Sequence, residues 1–214
     1  MDELVLKKVD EFFKKYKRQE HKKGTLLIRA DEDPSGIFYL TKGRVKEYAI
    51  SKKGDELIIN IFKPPSFFPM SWAVNKTLNV YYFEAVEDIE IYKIPEQEAL
   101  NYIKNNPDVL YDLLTRVYKG TDGLLMRMVY LMSGQAYARV VAELLISAGR
   151  FGKIKHDKVI ELTLTEKDLA AQSGMARETV SREIKALKDK DLIDFNHGLL
   201  LIKNLNLLKE ELIS

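Results

Sequence analysis

The stretch Gly174–Leu192, GMARETVSREIKALKDKDL, decides how the rest of the chain is read. It opens on a glycine, places Arg177 and Glu178 at the start of a helical pattern, and brings Arg182 in four residues after Glu178. At about 100° per residue, Val180, Ile184 and Leu187 share one face of that helix and would pack on a domain. Arg177, Glu178, Ser181 and Arg182 share a different face and would stay in water. A salt-bridged surface helix would tolerate this pattern for a gain of only about 0.3–0.5 kcal/mol per pair. The flanking sequence points to another use.

Upstream, Val159–Leu164 (VIELTL) alternates like a strand. Thr165 is followed three residues later by Asp168, close to a capping box with Asp in place of the usual Glu. Ser173-Gly174 makes a tight turn before the quoted helix, which starts near Ala176 and ends near Asp191. Downstream, LIDFNHGLLLIK (Leu192–Lys203) is expected to form a hairpin turning at Asn196-His197-Gly198. Helix, glycine turn, helix and hairpin is the order of a winged helix-turn-helix. In that motif the first two turns of the second helix enter the major groove. Arg can donate twice to guanine O6 and N7, and Glu can accept from cytosine N4. Thr179 and Ser181 can donate to phosphate oxygens.

The rest of the chain has a different texture. Leu4, Val5, Val9, Phe12 and Phe13 fall at helical spacing. From about Gly24 to Ile94, the short runs TLLI, IFYL, VKEYAI and ELIINIF alternate with the turn signals DEDPSG, TKG, SKKGD and KPPS. Such punctuation predicts an antiparallel β-sandwich or barrel. Pro64-Pro65 excludes a helix or central strand at that point. Glu96–Lys104 is expected to be a short helix, broken by Asn105-Asn106-Pro107.

A long helix is expected from Pro107 to about Met132. Leu110, Leu114, Val117, Thr121, Leu124, Met128 and Leu131 follow one another at alternating spacings of four and three. That is the seam of a parallel coiled-coil dimer, with a helix packed on its own domain as the alternative. Thr121, beside Gly120, would weaken the seam locally or set its register. Ser133-Gly134 is a plausible hinge. A further helix, from about Gln135 to Ala148, would turn Val140, Val141, Leu144 and Leu145 to a core and be ended by Gly149 and Gly152.

Bulk composition narrows the function. The 214 residues are 46% hydrophobic and 31% charged, which fits a globular chain rather than a disordered one. Net charge is +2, so any polyanion binding depends on local placement of charge. The absence of cysteine excludes disulfides, thiolate-held iron–sulfur clusters and a catalytic thiol. Three scattered histidines give no metal cluster, and His197 alone is no ligand set. No nucleophile–base pair or glycine-rich phosphate loop is visible, so an enzyme is not expected. The charged, amphipathic start is not a secretory signal, and no apolar run approaches the roughly 20 residues that span a bilayer. The expected compartment is the cytoplasm. Lys14-Lys15 and Lys22-Lys23 read as a solvated face rather than as a second nucleic-acid surface.

The segment LTEKDLAAQSGMARETVSREIKALKDKDLI resembles the DNA-binding domain of the catabolite activator (CRP/FNR) family, with ARETVSR at Ala176–Arg182 as the specific match. The resemblance is collinear over essentially the whole chain. GTLLIRADED and IFYLTKGRVKEYAISKKGDELIINIFKPPSFF resemble that family's β-roll, the long helix its dimerisation helix, and Ser133-Gly134 its hinge. The implied fold is α+β: an antiparallel, cyclic-nucleotide-binding-like β-roll over residues 1–106, a dimerisation helix and hinge over 107–134, and a winged helix-turn-helix over 135–214.

The family implies a homodimer on two-fold symmetric double-stranded DNA with TGTGA-like half-sites, acting with RNA polymerase. By resemblance, Arg177 and Arg182 would take guanines, Glu178 a cytosine, and Thr165 and Thr179 phosphates. Wing residues near Asn196 and His197 would lie by the backbone.

In the cyclic-nucleotide-binding members, a Gly-Glu-Leu segment and an Arg-Ser or Arg-Thr pair cradle the ribose and the cyclic phosphate. Alignment here puts Phe68-Pro69-Met70 and Asn79-Val80 at those places, and Leu124-Leu125 where the base would be met. A buried phosphate without an Arg is an unpaired charge, costly to desolvate. The neighbourhood, with Phe68, Trp72, Tyr81, Tyr82 and Phe83, is aromatic. Control by cAMP is therefore not expected, and no cofactor is. The pocket is expected to be filled by its own side chains. The alternative is a ligand-sensing or interaction module with an apolar pocket for haem or another effector, with DNA binding secondary.

Overall fold

A computed structural model of the chain describes residues 2–196 and 198–212. The chain forms two compact units, divided between Tyr118 and Lys119. The first begins with α1 (Glu3–Phe13), whose first turn is closed by the Asp2 carboxylate accepting from the Leu4 amide at 2.9 Å. Eight strands follow: β1 (Arg18–His21), β2 (Leu26–Ile28), β3 (Ile37–Lys42), β4 (Val45–Ile50), β5 (Glu56–Phe62), β6 (Ser66–Phe68), β7 (Tyr82–Ala85) and β8 (Ile89–Ile94). The short helix α2 (Met70–Asn75) lies between β6 and β7, and α3 (Glu96–Lys104) and α4 (Pro107–Ser133) come after β8.

The strands make two antiparallel sheets, ordered β1-β8-β3-β6 and β2-β7-β4-β5. Their alternating inner residues meet in one core: Phe38, Leu40, Phe68, Ile89 and Ile91 from the first sheet, Ile28, Val45, Phe83 and Ala85 from the second. This is the antiparallel sandwich that the short punctuated runs predicted. The first sheet's other face carries Tyr39, Phe67 and Ile94, which pack with Val9 and Phe13 of α1, Leu100 and Ile103 of α3, and Val109 of α4. The buried Tyr39 hydroxyl donates to Asp10 at 2.6 Å, so its one polar atom is satisfied.

The second unit contains the later part of α4, then α5 (Ala136–Phe151), β9 (Lys153–Ile154), β10 (Ile160–Thr163), α6 (Glu166–Ser173), α7 (Arg177–Asp189), β11 (Ile193–Asn196), β12 (Leu199–Ile202) and α8 (Leu205–Glu210). Its sheet runs β11-β12-β10-β9. The core joins Val140, Val141 and Leu144 of α5, Leu169 of α6, Val180, Ile184 and Leu187 of α7, Leu200 and Ile202 of β12 and Leu208 of α8.

Some features depart from the sequence expectation, among them the helix α2 within the strand-rich stretch and the short strand β9. Gly149 does not end α5, which continues to Phe151 and stops at Gly152. Packing of Ala148 and Phe151 on the core outweighs the roughly 1 kcal/mol that a mid-helix glycine costs. The polar run Arg18–His21 forms β1 because β8 offers it a full register, Arg18 opposite Tyr92 through His21 opposite Ile89. Helix α8 was not anticipated. Asn204 starts it by accepting from the amides of Asn206 and Leu207 at 2.9 and 3.2 Å, and Leu208 is its fully buried anchor.

Phe68 stacks against Phe38 and Phe83 at centroid distances of 5.4 and 5.5 Å and meets Phe62 tilted at 5.2 Å. Phe68→Ala is expected to lower unfolding free energy by about 3–5 kcal/mol in a denaturant titration, as for other buried aromatics. A loss below about 1 kcal/mol would mean that the four rings are not a packed core.

Candidate nucleic-acid interface

The site is built on the contrast between the two faces of α7. Val180, Ile184 and Leu187 are 0, 3 and 0% exposed, which fixes the rotation of the helix about its axis. Arg177, Glu178, Ser181 and Arg182 are thereby turned to solvent, and Thr179 is half-buried. Arg177 and Ser181, and Glu178 and Arg182, are each one turn apart, so the four side chains form one contiguous polar face.

The lead-in to α7 is held at several points. Thr165 caps α6: its hydroxyl accepts from the Asp168 amide at 3.1 Å and donates to Asp168 Oδ2 at 2.6 Å, while the same carboxylate accepts from the Thr165 amide at 2.9 Å. The Thr165-x-x-Asp168 pattern is thus a complete capping box. Gly174, at φ 61°, ends α6 in the left-handed region that favours glycine. Arg139 of α5 donates through Nη2 to the carbonyl oxygens of Ser173 and of Gly174, the latter at 3.3 Å, and so ties the α6–α7 turn to α5.

The wing is set beside this turn. Thr163 pairs with Leu199, and the Leu164 amide donates to the Gly198 carbonyl at 2.9 Å. Thr165, Glu166, Lys167, Arg177, Phe195 and Gly198 line one open concavity between wing and helices. His197 lies outside the described residues, and Asn196 is exposed at the end of β11.

The charges are loosely held. Arg177 Nε is 3.6 Å from a Glu166 carboxylate oxygen, with the arginine side chain 70% exposed. Arg182 donates to its neighbour Glu183 through Nε and Nη2 at 3.1 and 3.0 Å. Both guanidinium groups lie at the solvent end of their pairs, where an ion pair contributes little. Glu178 has no partner among the described residues. Glu166 and Arg139 are the residues here that motif reading missed. Glu166 acquires a role only through its contact with Arg177. The one signal for Arg139 was an arginine in an otherwise apolar helical run.

On α4 the predicted seam is exposed: Leu110, Leu114, Val117, Leu124, Met128 and Leu131 are between 46 and 55% accessible, and Thr121 is exposed as well. The residues aligned with a nucleotide cradle differ in their surroundings. Phe68 and Pro69 are buried and Met70 is half-buried against the core around α1, whereas Val80 is exposed. The buried Asn79 donates through Nδ2 to the carbonyls of Arg29 and Tyr81 at 2.9 and 2.8 Å, so its side chain stitches a loop. In the second unit Leu124 and Leu125 are about half exposed. Trp72 packs on the same core as Met70, and Tyr82 stacks on Tyr48 at 5.3 Å. Lys22 is paired with Asp88 at 2.7 Å and Lys14 lies 3.7 Å from Asp10.

Fold and site together define a regulator with a double-sheet sensor-type domain and a winged helix-turn-helix. Comparison with known proteins agrees. Residues 18–106 match the cyclic nucleotide-binding domain model, and residues 138–211 match the Crp-like helix-turn-helix domain. The cAMP-activated global transcriptional regulator CRP of Pasteurella multocida is 27% identical over 176 residues, 80% of this chain and 82% of that one. The transcriptional regulator SdrP of Thermus thermophilus is 27% identical over 174 residues, 81% of this chain and 82% of that one. Among solved structures, a mutant of CooA from Carboxydothermus hydrogenoformans superposes with a TM-score of 0.78 at 22% identity, covering 94% of this chain and 89% of that one. A CRP/FNR-family regulator from Thermus thermophilus gives 0.72 at 24%, covering 92% and 99%.

The chain is homologous to CRP/FNR family regulators: it is a transcription regulator of the CRP/FNR type with a helix-turn-helix DNA-binding domain, and its homologues are not enzymes. Among the described residues no helix is long and apolar enough to cross a membrane.

Thr165→Ala removes the hydroxyl of the capping box. It should cost about 1 kcal/mol of stability in chemical denaturation, within the usual 0.5–2 kcal/mol for a lost N-cap. An unchanged midpoint would show that the box does not support α6.

Proposed function

We propose that this protein is a homodimeric, sequence-specific regulator that reads two-fold symmetric double-stranded DNA with TGTGA-like half-sites, in the cytoplasm and together with RNA polymerase, without control by cAMP. The observation that carries this reading is the outward face of α7. Arg177, Glu178, Ser181 and Arg182 are exposed and weakly paired on a helix whose rotation is fixed by three buried residues. Arg177 and Arg182 would donate to guanine edges and Glu178 accept from a cytosine amine. Ser181, Thr179 and the N-terminus of α6 at Thr165 would face phosphates. In the free protein the Thr165 hydroxyl is engaged with Asp168, so a contact there would use a remaining lone pair or the neighbouring backbone.

The apolar stripe along α4 supports a dimer. A band of half-exposed Leu, Val and Met at heptad spacing is stabilised when a second copy covers it. The packing of Phe68 and the loop bonds of Asn79 support a sensor domain filled by its own side chains. A cyclic phosphate set there would meet an asparagine amide already engaged with two carbonyls, and no arginine at the aligned position.

The deciding experiment is fluorescence anisotropy at one fixed salt concentration, since protein–DNA affinity depends steeply on salt. A palindromic TGTGA/TCACA duplex and a scrambled duplex are compared, with and without cAMP. Specific binding indifferent to cAMP is expected; binding that requires cAMP would overturn the filled-pocket reading. Arg177→Ala and Arg182→Ala should each cost about 1–3 kcal/mol and relax preference at a particular base pair. Equal losses on both duplexes would reduce them to phosphate contacts. Leu124→Glu with Met128→Glu should convert a dimer to a monomer by light scattering, and a wild-type chain already monomeric would sink the seam.

A further inference from the structure

Inside the second unit, α4 and α5 are joined by a buried ion pair. Arg127 donates to Glu143 through Nε at 2.5 Å and through Nη2 at 3.0 Å. The two side chains are 13 and 3% exposed. Burial pushes the Glu143 carboxyl upward, while the hydrogen bonds from Arg127 and the nearby charges of Arg127, Arg150 and Arg139 pull it back toward the ionised form. Stability alone does not account for such a pair. Desolvating both ions roughly cancels their attraction, and well-packed apolar residues do as well or better. What the pair does supply is a single register between two helices, because breaking it strands a buried charge.

The register matters because of what lies on either side. Between the two helices the chain turns at Gly134, with φ 75°, a joint that by itself does not fix an angle. One turn before Glu143, on the same face of α5, is Arg139. Its Nη2 holds the carbonyls of Ser173 and Gly174, the C-terminal end of α6 and the turn into α7. Its Nε is buried with no hydrogen-bond partner among the described residues, so the side chain is held by that turn and not by solvent. Arg127, Arg139, Glu143, Gln172 and Ser173 line one small cavity, and the buried Ser147 hydroxyl of α5 donates to Gln172 of α6 at 3.4 Å. The chain of contact therefore runs from α4 through Arg127 and Glu143 into α5, and from Arg139 to the start of α7.

We propose that Arg127, Glu143 and Arg139 are positioning residues for DNA reading: the Arg127–Glu143 pair sets the pose of α7 relative to α4 through the grip of Arg139 on the α6–α7 turn. The proposal rests on the dimeric, α4-seamed reading above. With α4 as the seam, the pose of α7 on α4 sets the distance between the two reading helices. Half-sites must be about one helical turn of DNA apart, near 34–36 Å, for both to engage. Random DNA imposes no such spacing. The pair is buried, so it acts through the polar face of α7 and not by touching DNA.

The test compares Arg127→Met, Glu143→Met and the double variant, all full-length, on the specific and scrambled duplexes at one salt concentration. Each single variant should lose about tenfold in affinity for the specific duplex and less than about threefold for the scrambled one, in the range of couplings carried through packed networks. The double variant should lose no more than either single, because the two residues act as one unit. Arg127→Lys, which keeps the charge and loses the two-pronged geometry, should fall between wild type and Arg127→Met. Equal losses on both duplexes, or additive losses in the double variant, would overturn the proposal. Hydrogen exchange at the amides of Gly174–Arg177, measured without DNA, serves as a second readout. It should rise in Arg127→Met and Arg139→Met, and unchanged exchange there would overturn the positioning role. If wild-type protein shows no preference between the duplexes, the operator reading fails, and the exchange data still decide whether the pair positions the turn.

Discussion

Burial of Val180, Ile184 and Leu187 is the constraint on which the functional surface depends. A helix with three apolar side chains on one face has one rotation that removes them from water, at about 1.5–3 kcal/mol for each fully buried residue. That rotation leaves Arg177, Glu178, Ser181 and Arg182 outside. The polar face is presented by what the opposite face buries. The arginine ends of its pairs to Glu166 and Glu183 stay in solvent, where ion pairs contribute little.

A rotation is not yet a pose. The axis of α7 is set by its entry turn and by the wing. The turn is fixed by a left-handed glycine and by the guanidinium of Arg139 on two carbonyls. The wing is fixed by the pairing of β10 with β12 and by the Leu164–Gly198 bond. Behind the turn sits the Arg127–Glu143 pair, where the molecule spends buried charge on register instead of apolar packing. The sensor-type domain follows the opposite rule. Its two sheets close on a cluster of phenylalanines, with Phe68 at the centre.

Much of this was legible in the amino-acid order wherever a feature was local. The 3.6-residue period of α7, the Thr165–Asp168 box, the Glu96–Lys104 helix between Pro95 and Asn105, and the heptad of α4 all depend on neighbours within a turn or two. The features that escaped are those made by distant partners. Arg18–His21 has no strand pattern of its own and becomes β1 through β8. Gly149 looks like a helix end and is carried through by the packing of Ala148 and Phe151. The loop that Asn79 stitches is likewise invisible locally, because Arg29, fifty residues away, presents one of the two carbonyls it binds.

The sequence by itself determined the order of elements, the two faces of α7 and the residue types on the outward one. These follow from side-chain chemistry and helical or strand period, which need no partner beyond the segment. The family resemblance was legible for the same reason, since ARETVSR is a contiguous motif. Only the tertiary structure decided that Phe68 is core, that Arg139 holds the turn before α7 and that Arg127 finds Glu143 sixteen residues on. Each is a contact whose existence depends on how separate elements come together. A buried arginine and an exposed one are written with the same letter, and burial is settled only when the fold closes around them.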